Sequence, residues 1–321
     1  MTLSISKVQN WIEEDLQNFY QSYPSTPLFE PIQYLLKIGG KRIRPALVLL
    51  SHQLFNEKPE NARPAALAIE VFHNFTLMHD DIMDKAPLRR GQATVHERYN
   101  TNTAILSGDA MMIQAYQLLM KNPCHDQHQL IELFNQKALE VCIGQDLDMS
   151  FEGRNDVTVK EYLEMIRLKT AVLVGCAMKM GALVACASKE NQDHLYACGE
   201  EMGLAFQLMD DYLDAFGNPE TVGKQTGGDI LADKKTYLYL QLLSRATQEE
   251  KNKLQSPFST PEEKVSTVKE WMRYYKIDEE VKSIANQYSQ SAIEHLQAVD
   301  CHTEKKEPLI HLVKQLLERQ A

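Results

Sequence analysis

Apolar residues recur along this chain at intervals of three and four, and the pattern holds almost from end to end. Ile5, Val8, Ile12, Leu16 and Phe19 set the rhythm, falling on one face of an amphipathic helix. From Gln129 to Phe151, and again from Glu161 to Ala187, apolar side chains occupy so much of the circumference that central rather than surface helices are expected. Turn-forming residues cluster between the periodic stretches, at Tyr23 to Pro31, Lys121 to Asp126, Gly153 to Thr158, Gly217 to Gly228 and Ser256 to Glu262. No alternation of period two persists long enough to predict a sheet. There is no composition shift and no tandem repeat of roughly 20 to 50 residues. The chain therefore reads as one all-α domain, residues 1–321, of about ten or more helices.

Two of these apolar stretches contain the same acidic cluster. Asp80-Asp81-Ile82-Met83-Asp84 and Asp210-Asp211-Tyr212-Leu213-Asp214 share the form DDxxD and begin 130 residues apart. Six carboxylates on otherwise core-facing surfaces repel one another unless a cation lies between them, because burial and like-charge neighbours both disfavour ionisation. Residues four apart share a helix face, so Asp80 points with Asp84 and Asp210 with Asp214, the middle aspartates flanking them. Two such faces set opposite each other would form a cup of hard oxygen donors, which suits magnesium better than zinc. Magnesium keeps several waters and takes further ligands from substrate phosphates, so a diphosphate ester is the expected occupant.

Charge sharpens this expectation. With 44 acidic and 34 basic side chains the net charge is −10, which argues against a nucleic-acid partner. An anionic substrate therefore needs local basic clusters. No run of about eighteen apolar residues occurs, so no transmembrane segment is predicted. The N-terminal stretch has neither a signal-peptide core nor a basic leader, and a cytoplasmic protein is expected. Cys124, Cys142, Cys176, Cys186, Cys198 and Cys301 form no CxxC, and four lie in apolar helical runs. Free buried thiols are expected of them, without a disulfide or zinc role.

The basic clusters are few. Gly39-Gly40-Lys41-Arg42-Ile43-Arg44-Pro45 puts three cations behind a glycine pair at a helix entrance, either as a solvated helix start or as an anion site. Leu88-Arg89-Arg90-Gly91 follows the first aspartate cluster. Its arginines either neutralise the aspartates or grip a phosphate with their planar forks. Lys169 lies in the apolar run Ile166 to Val174, where an ammonium must find a partner or snorkel. Lys224 and Lys234 sit on the glycine-rich stretch after the second cluster.

In order and spacing these motifs resemble the trans-prenyltransferase family, the head-to-tail isoprenyl diphosphate synthases of isoprenoid biosynthesis, also termed polyprenyl synthetases. The resemblance covers most of the chain. It runs through GGKRIRP, Glu70 and His73 ahead of HDDIMD, LRRG, AILSGD from Ala104 to Asp109, Gly144-Gln145 with Asp148, Lys169-Thr170, Phe206-Gln207 before DDYLD, and the GK…GGD…DKKT segment.

The resemblance implies a single-domain helical bundle around a deep central cavity, the isoprenoid synthase fold, acting as a homodimer. It implies three magnesium ions between the aspartates and an allylic diphosphate, with Asp80, Asp84 and Asp210 as ligands and Asp81, Asp211 and Asp214 acting through water. Arg89, Lys169, Lys224 and Lys234 match residues that hold the allylic diphosphate, whether dimethylallyl, geranyl or farnesyl. Gly40, Lys41, Arg44, His73 and Arg90 match the pocket for isopentenyl diphosphate, which binds without metal. Thr170 and Gln207 match the oxygen dipoles that ease the allylic carbocation, and the departed diphosphate is the expected proton acceptor.

Product length is read from the helix ahead of the first cluster. Phe75 and Phe72 are close enough in sequence to stack as successive floors beneath the site, or to be ordinary core residues. In the family a bulky residue at the Phe75 position limits the chain. Without an insertion in the first DDxxD, and with Thr76 where a second aromatic would stand, the pattern favours geranylgeranyl over farnesyl diphosphate. Two departures stand out. Ala93 replaces the usual proline, and Asp233 adds a carboxylate beside Lys234 that is expected to weaken that lysine's hold on diphosphate. Arg319 is the one cation in the last four residues. A terpene cyclase would share the fold and one aspartate motif but needs no second diphosphate pocket. A non-catalytic regulatory subunit typically loses the second motif, which is intact here.

Overall fold

A computed structural model describes residues 5–217 and 226–317. Helices dominate it. They are α1 (Ile5–Gln21), α2 (Glu30–Lys37), α3 (Ile43–Gln53), α4 (Arg63–Met83), α5 (Val95–Arg98), α6 (Thr101–Met120), α7 (Gln127–Glu152), α8 (Val159–Ile166), α9 (Val172–Val184) and α10 (Lys189–Phe216). After the second aspartate cluster come α11 (Gly228–Leu231), α12 (Tyr237–Arg245), α13 (Gln248–Leu254), α14 (Pro261–Tyr274), α15 (Ile277–Ala298) and α16 (Thr303–Leu317). The periodicity located these well. On α1 the buried residues are Val8, Ile12, Leu16 and Phe19, four of the five that set the sequence rhythm.

Helix starts follow capping chemistry. Asn100 accepts the Thr103 N–H to open α6, Thr158 and Glu161 form a reciprocal capping box on α8, and Thr247 and Glu250 repeat it on α13. One expectation needs correcting. A short antiparallel pair, β1 (Leu88–Arg89) and β2 (Gln92–Ala93), follows α4. Two residues per strand leave no alternation to read. The signal lies instead in Arg90 and Gly91, both at positive φ, which fit a tight hairpin turn.

The chain divides into two compact units. The first comprises Met1–Gln136, Cys176–Tyr196 and Gln297–Leu309; the second comprises Lys137–Gly175, Ala197–Leu296 and Ile310–Ala321. In the first, α4 packs chiefly against α6 and α3. Its interior includes Leu47, Leu49, Ile69, Phe72, Met78, Met111 and Phe134, all nearly inaccessible to water. In the second, Tyr162, Ile166, Leu208, Tyr212, Tyr237, Met272 and Val281 belong to one apolar cluster. The thiols are free as expected, but only Cys176 and Cys198 are buried; Cys142 and Cys186 are exposed. No helix among the described residues is long and apolar enough to cross a membrane.

Candidate active site

The first unit gathers an arginine cluster around one histidine. Arg42 takes a left-handed conformation ahead of α3, which turns its guanidinium inward to Glu13 at 2.8 Å, Glu70 at 2.7 Å and the Leu36 carbonyl at 2.9 Å. Arg42 is thus a structural clamp. Arg44, two residues further on, reaches His73 of α4, its Nη1 lying 3.2 Å from Nε2. His73 is pushed well below its ordinary pKa by burial and then by Arg44, Arg90, Arg89 and Arg42 in turn, so the ring is neutral and its Nε2 accepts from Arg44.

Burial pulls the Arg44 pKa down to about 10, and its buried Nε has no hydrogen-bond partner among the described residues. Arg90 is also lowered, first by burial and then by Arg42 and Arg89. Neither Arg44 nor Arg90 has a carboxylate within ion-pair distance among the described residues. Gly40 makes room for this arrangement: a Cβ there would lie 2.8 Å from Nη1 of Arg90. Lys41 is exposed on the turn before α3. Gly40, Arg44, His73 and Arg90 are therefore brought together.

The first aspartate cluster closes α4. Asp84 caps the helix, Lys85 adopts positive φ, and Lys85 and Ala86 donate their N–H groups to Ile82 and Asp81, a Schellman ending with lysine at the usual glycine position. Asp80 is half-buried and Asp84 exposed, whereas Asp81 is 2% exposed. Arg89 on the hairpin holds Asp81 through three hydrogen bonds of 2.7 to 3.0 Å. Of the two roles open to Arg89, this geometry displays neutralisation of an aspartate. Upstream, Phe72 and Phe75 have ring centroids 5.5 Å apart; Phe75 also meets His79 at 4.7 Å, and Phe72 meets Phe134 at 5.0 Å. The two rings meet at a tilt of 49° and do not stack face to face.

The second unit carries its own polar group around an irregular turn. Between α8 and α9 the backbone widens to a π-helix over Arg167–Ala171, with the Val172 N–H bonded to the Arg167 carbonyl five residues back. Such bulges redirect side chains, and this one presents Lys169 and Thr170. Gly144 of α7 lies against it so closely that a Cβ would sit 2.2 Å from the Lys169 nitrogen. Lys169 is not snorkelling: its Nζ bonds Asp148 at 2.5 Å. The Thr170 hydroxyl donates to Oε1 of Gln207 at 3.3 Å, and Nε2 of Gln207 donates to Asp211 at 3.2 Å.

Here too the middle aspartate turns inward. Asp210 is exposed and Asp214 half-buried, while Asp211 is 6% exposed and accepts the buried Tyr162 hydroxyl. Burial raises the Asp211 pKa to about 7. Asp214 accepts the Asp229 N–H at 2.9 Å, tying the helix end to α11. Lys234 is exposed and electrostatically felt by Asp211. The expectation that Asp233 would weaken Lys234 needs revising, because Asp233 is taken by Lys264 at 2.7 Å. Lys224 and Arg319 lie outside the described residues.

Sequence reading overlooked Tyr162. Its signal was present: a tyrosine on the apolar stripe with Met165 and Ile166 needs a hydroxyl partner once buried. Among the described residues no three His, Cys, Asp or Glu side chains converge as a metal cage.

Residues 25–275 match the polyprenyl synthetase family model. A short chain isoprenyl diphosphate synthase from Methanothermobacter thermautotrophicus is 34% identical over 318 residues, covering 98% of each chain. A geranylgeranyl diphosphate synthase from Saccharolobus solfataricus is 34% identical over 322 residues, covering 98% of this chain and 96% of its own. A crystal structure of a geranylgeranyl pyrophosphate synthase is 43% identical with a TM-score of 0.94, covering 99% of this chain and 100% of that one.

Proposed function

This chain belongs to the polyprenyl synthetase family as a short-chain trans-prenyltransferase, and we propose that it condenses isopentenyl diphosphate with allylic diphosphates to geranylgeranyl diphosphate. The observation that carries the two-substrate reading is the arginine cluster around neutral His73. Two guanidiniums without carboxylate partners, one with a buried unpaired Nε, suit a diphosphate that binds without metal. Lys41, Arg44, His73 and Arg90 hold it in this proposal, with Gly40 leaving room.

The family is magnesium-dependent. The hard oxygen donors present here fit that ion, and we assign it to Asp80, Asp84 and Asp210, with Asp81, Asp211 and Asp214 acting through water; three ions are expected. When bound, magnesium would neutralise the diphosphate leaving the allylic carbon. Arg89, Lys169, Lys224 and Lys234 add positive charge where that negative charge develops. Thr170 and Gln207 turn oxygen dipoles toward the allylic cation. The isopentenyl double bond adds to it, and the proton lost passes to the released diphosphate. Phe75, with Phe72 behind it, limits the growing tail.

Both units serve this one activity, so residues 1–321 act as a single synthase domain. A homodimer is supported by the exposed apolar stripe on α6. A terpene cyclase has no use for the Arg44 and Arg90 pocket. The deciding experiment incubates the protein with isopentenyl diphosphate and each of dimethylallyl, geranyl and farnesyl diphosphate, with magnesium or with a chelator, and sizes the products by chromatography. An all-trans twenty-carbon product that vanishes with the chelator is expected. No elongation from any starter, or a cyclic hydrocarbon from one diphosphate alone, would overturn the proposal.

A further inference from the structure

Tyr162 lies on α8, 49 residues in sequence from Asp211, and the reaction just described gives it no role. It is nonetheless buried with its hydroxyl on the carboxylate. Two side chains donate to Asp211. They are the phenol on Oδ2 and Nε2 of Gln207 on Oδ1. An amide with its NH2 committed to a carboxylate has its oxygen directed the other way. There Oε1 accepts from the Thr170 hydroxyl at 3.3 Å. Three elements, α8, α10 and the π turn, thus agree on one orientation of a single amide.

We propose that Tyr162 and Asp211 form a positioning pair that fixes the Gln207 amide with its oxygen toward Thr170 and the developing allylic cation. Asp211 then orients a dipole and is not a direct metal ligand. The inference rests on the prenyltransferase reading. The polarity matters because the flipped amide would aim its NH2, the positive end of the dipole, at a positive charge. Gln207 and Asp211 are four residues apart on one helix face, so their contact is local. Tyr162 supplies what the helix cannot, a second donor that stops the carboxylate from rotating away. The two middle aspartates are also treated differently. Asp81 is paired with a guanidinium, whereas Asp211 takes its side-chain hydrogen bonds from a phenol and an amide.

A double-mutant cycle tests this. Tyr162→Phe, which keeps the ring, is expected to lower kcat about ten- to hundred-fold with KM for isopentenyl diphosphate unchanged. In a Gln207→Leu background the same substitution is expected to cost nothing further, since the pair acts through the amide. Calorimetric binding of Mg2+ with unreactive farnesyl thiodiphosphate supplies a readout apart from turnover. Affinity is expected to hold in Asp211→Asn and to fall in Asp210→Asn. An equal loss from Tyr162→Phe in both backgrounds would overturn the inference, as would Mg2+ binding that falls alike in both aspartate variants. Wild-type elongation in the same series reports separately on the prenyltransferase reading.

Discussion

Arg44 and His73 show how burial prepares a side chain for an anion. A guanidinium stripped of water and facing other cations is a destabilised charge, and in the proposed pocket a diphosphate would restore what burial removed. Arg44→Gln should therefore raise KM for isopentenyl diphosphate by about tenfold or more while leaving the magnesium dependence as in wild type; steady-state kinetics varying each in turn checks this. His52 shows burial without such relief. It is fully buried on α3 with neither ring nitrogen hydrogen-bonded among the described residues, and loss of hydration pulls its pKa from 6.5 down to about 4. Between those values the unfolded chain binds a proton that the folded chain does not. Stability from this residue is thus fully present above pH 6.5 and is lost as the pH falls toward the folded pKa, by roughly 3 kcal/mol in all. Melting temperatures measured across that range should slope downward with acidity, and His52→Gln should flatten the slope. An unchanged slope would assign it to other groups.

At the scale of elements, the π turn over Arg167–Ala171 carries two residues of the proposed site. It presents Lys169 and Thr170 because α7 approaches at Gly144, where any side chain would meet backbone. Gly144→Ala should push the turn aside, destabilising the fold by about 1–3 kcal/mol and lowering kcat beyond what lost folded protein explains. Thermal melts and active-site titration together separate the two effects. On α4 the proposed ruler is Phe75. It is 8% exposed, lies one turn above fully buried Phe72 and packs on His79, so Phe75→Ala opens space on the helix that ends in the first aspartate cluster. Products longer than twenty carbons are expected by chromatography, and an unchanged length would remove Phe75 from the ruler. How far these features were legible depended on range. Long helices announced themselves through periodicity, and the face shared by Asp80 and Asp84 follows from helix geometry alone. The β1–β2 pair was too short to leave a pattern. The Tyr162 contact with Asp211 and the Asp233 contact with Lys264 join residues far apart in sequence, and no local spacing encodes such partners.

For the whole molecule, the proposed homodimer requires an exposed apolar face, and α6 carries one. Its inner face, including Ala104, Met111, Ala115 and Leu119, is buried within the first unit. Leu106, Ile113 and Met120 are 60%, 61% and 64% exposed, and they recur every seven residues, so they form one outward stripe. Isolated exposed apolar residues are ordinary on a protein surface, whereas an aligned row marks a contact. Covering each such side chain is worth about 1.5–3 kcal/mol, so three on each of two chains contribute substantially to association. Each chain also carries a net charge of −10, which makes two copies repel. An apolar contact must overcome that repulsion, and added salt, which screens it, should leave the dimer intact or tighten it; an interface built on ion pairs would loosen instead. Light scattering after size exclusion should give twice the 36.7 kDa chain mass for the wild type at low and high salt. Leu106→Lys with Ile113→Lys should give single chains that retain their helical circular dichroism. A wild type that runs as one chain, or a doubly substituted variant that remains paired, would remove the α6 stripe from the interface.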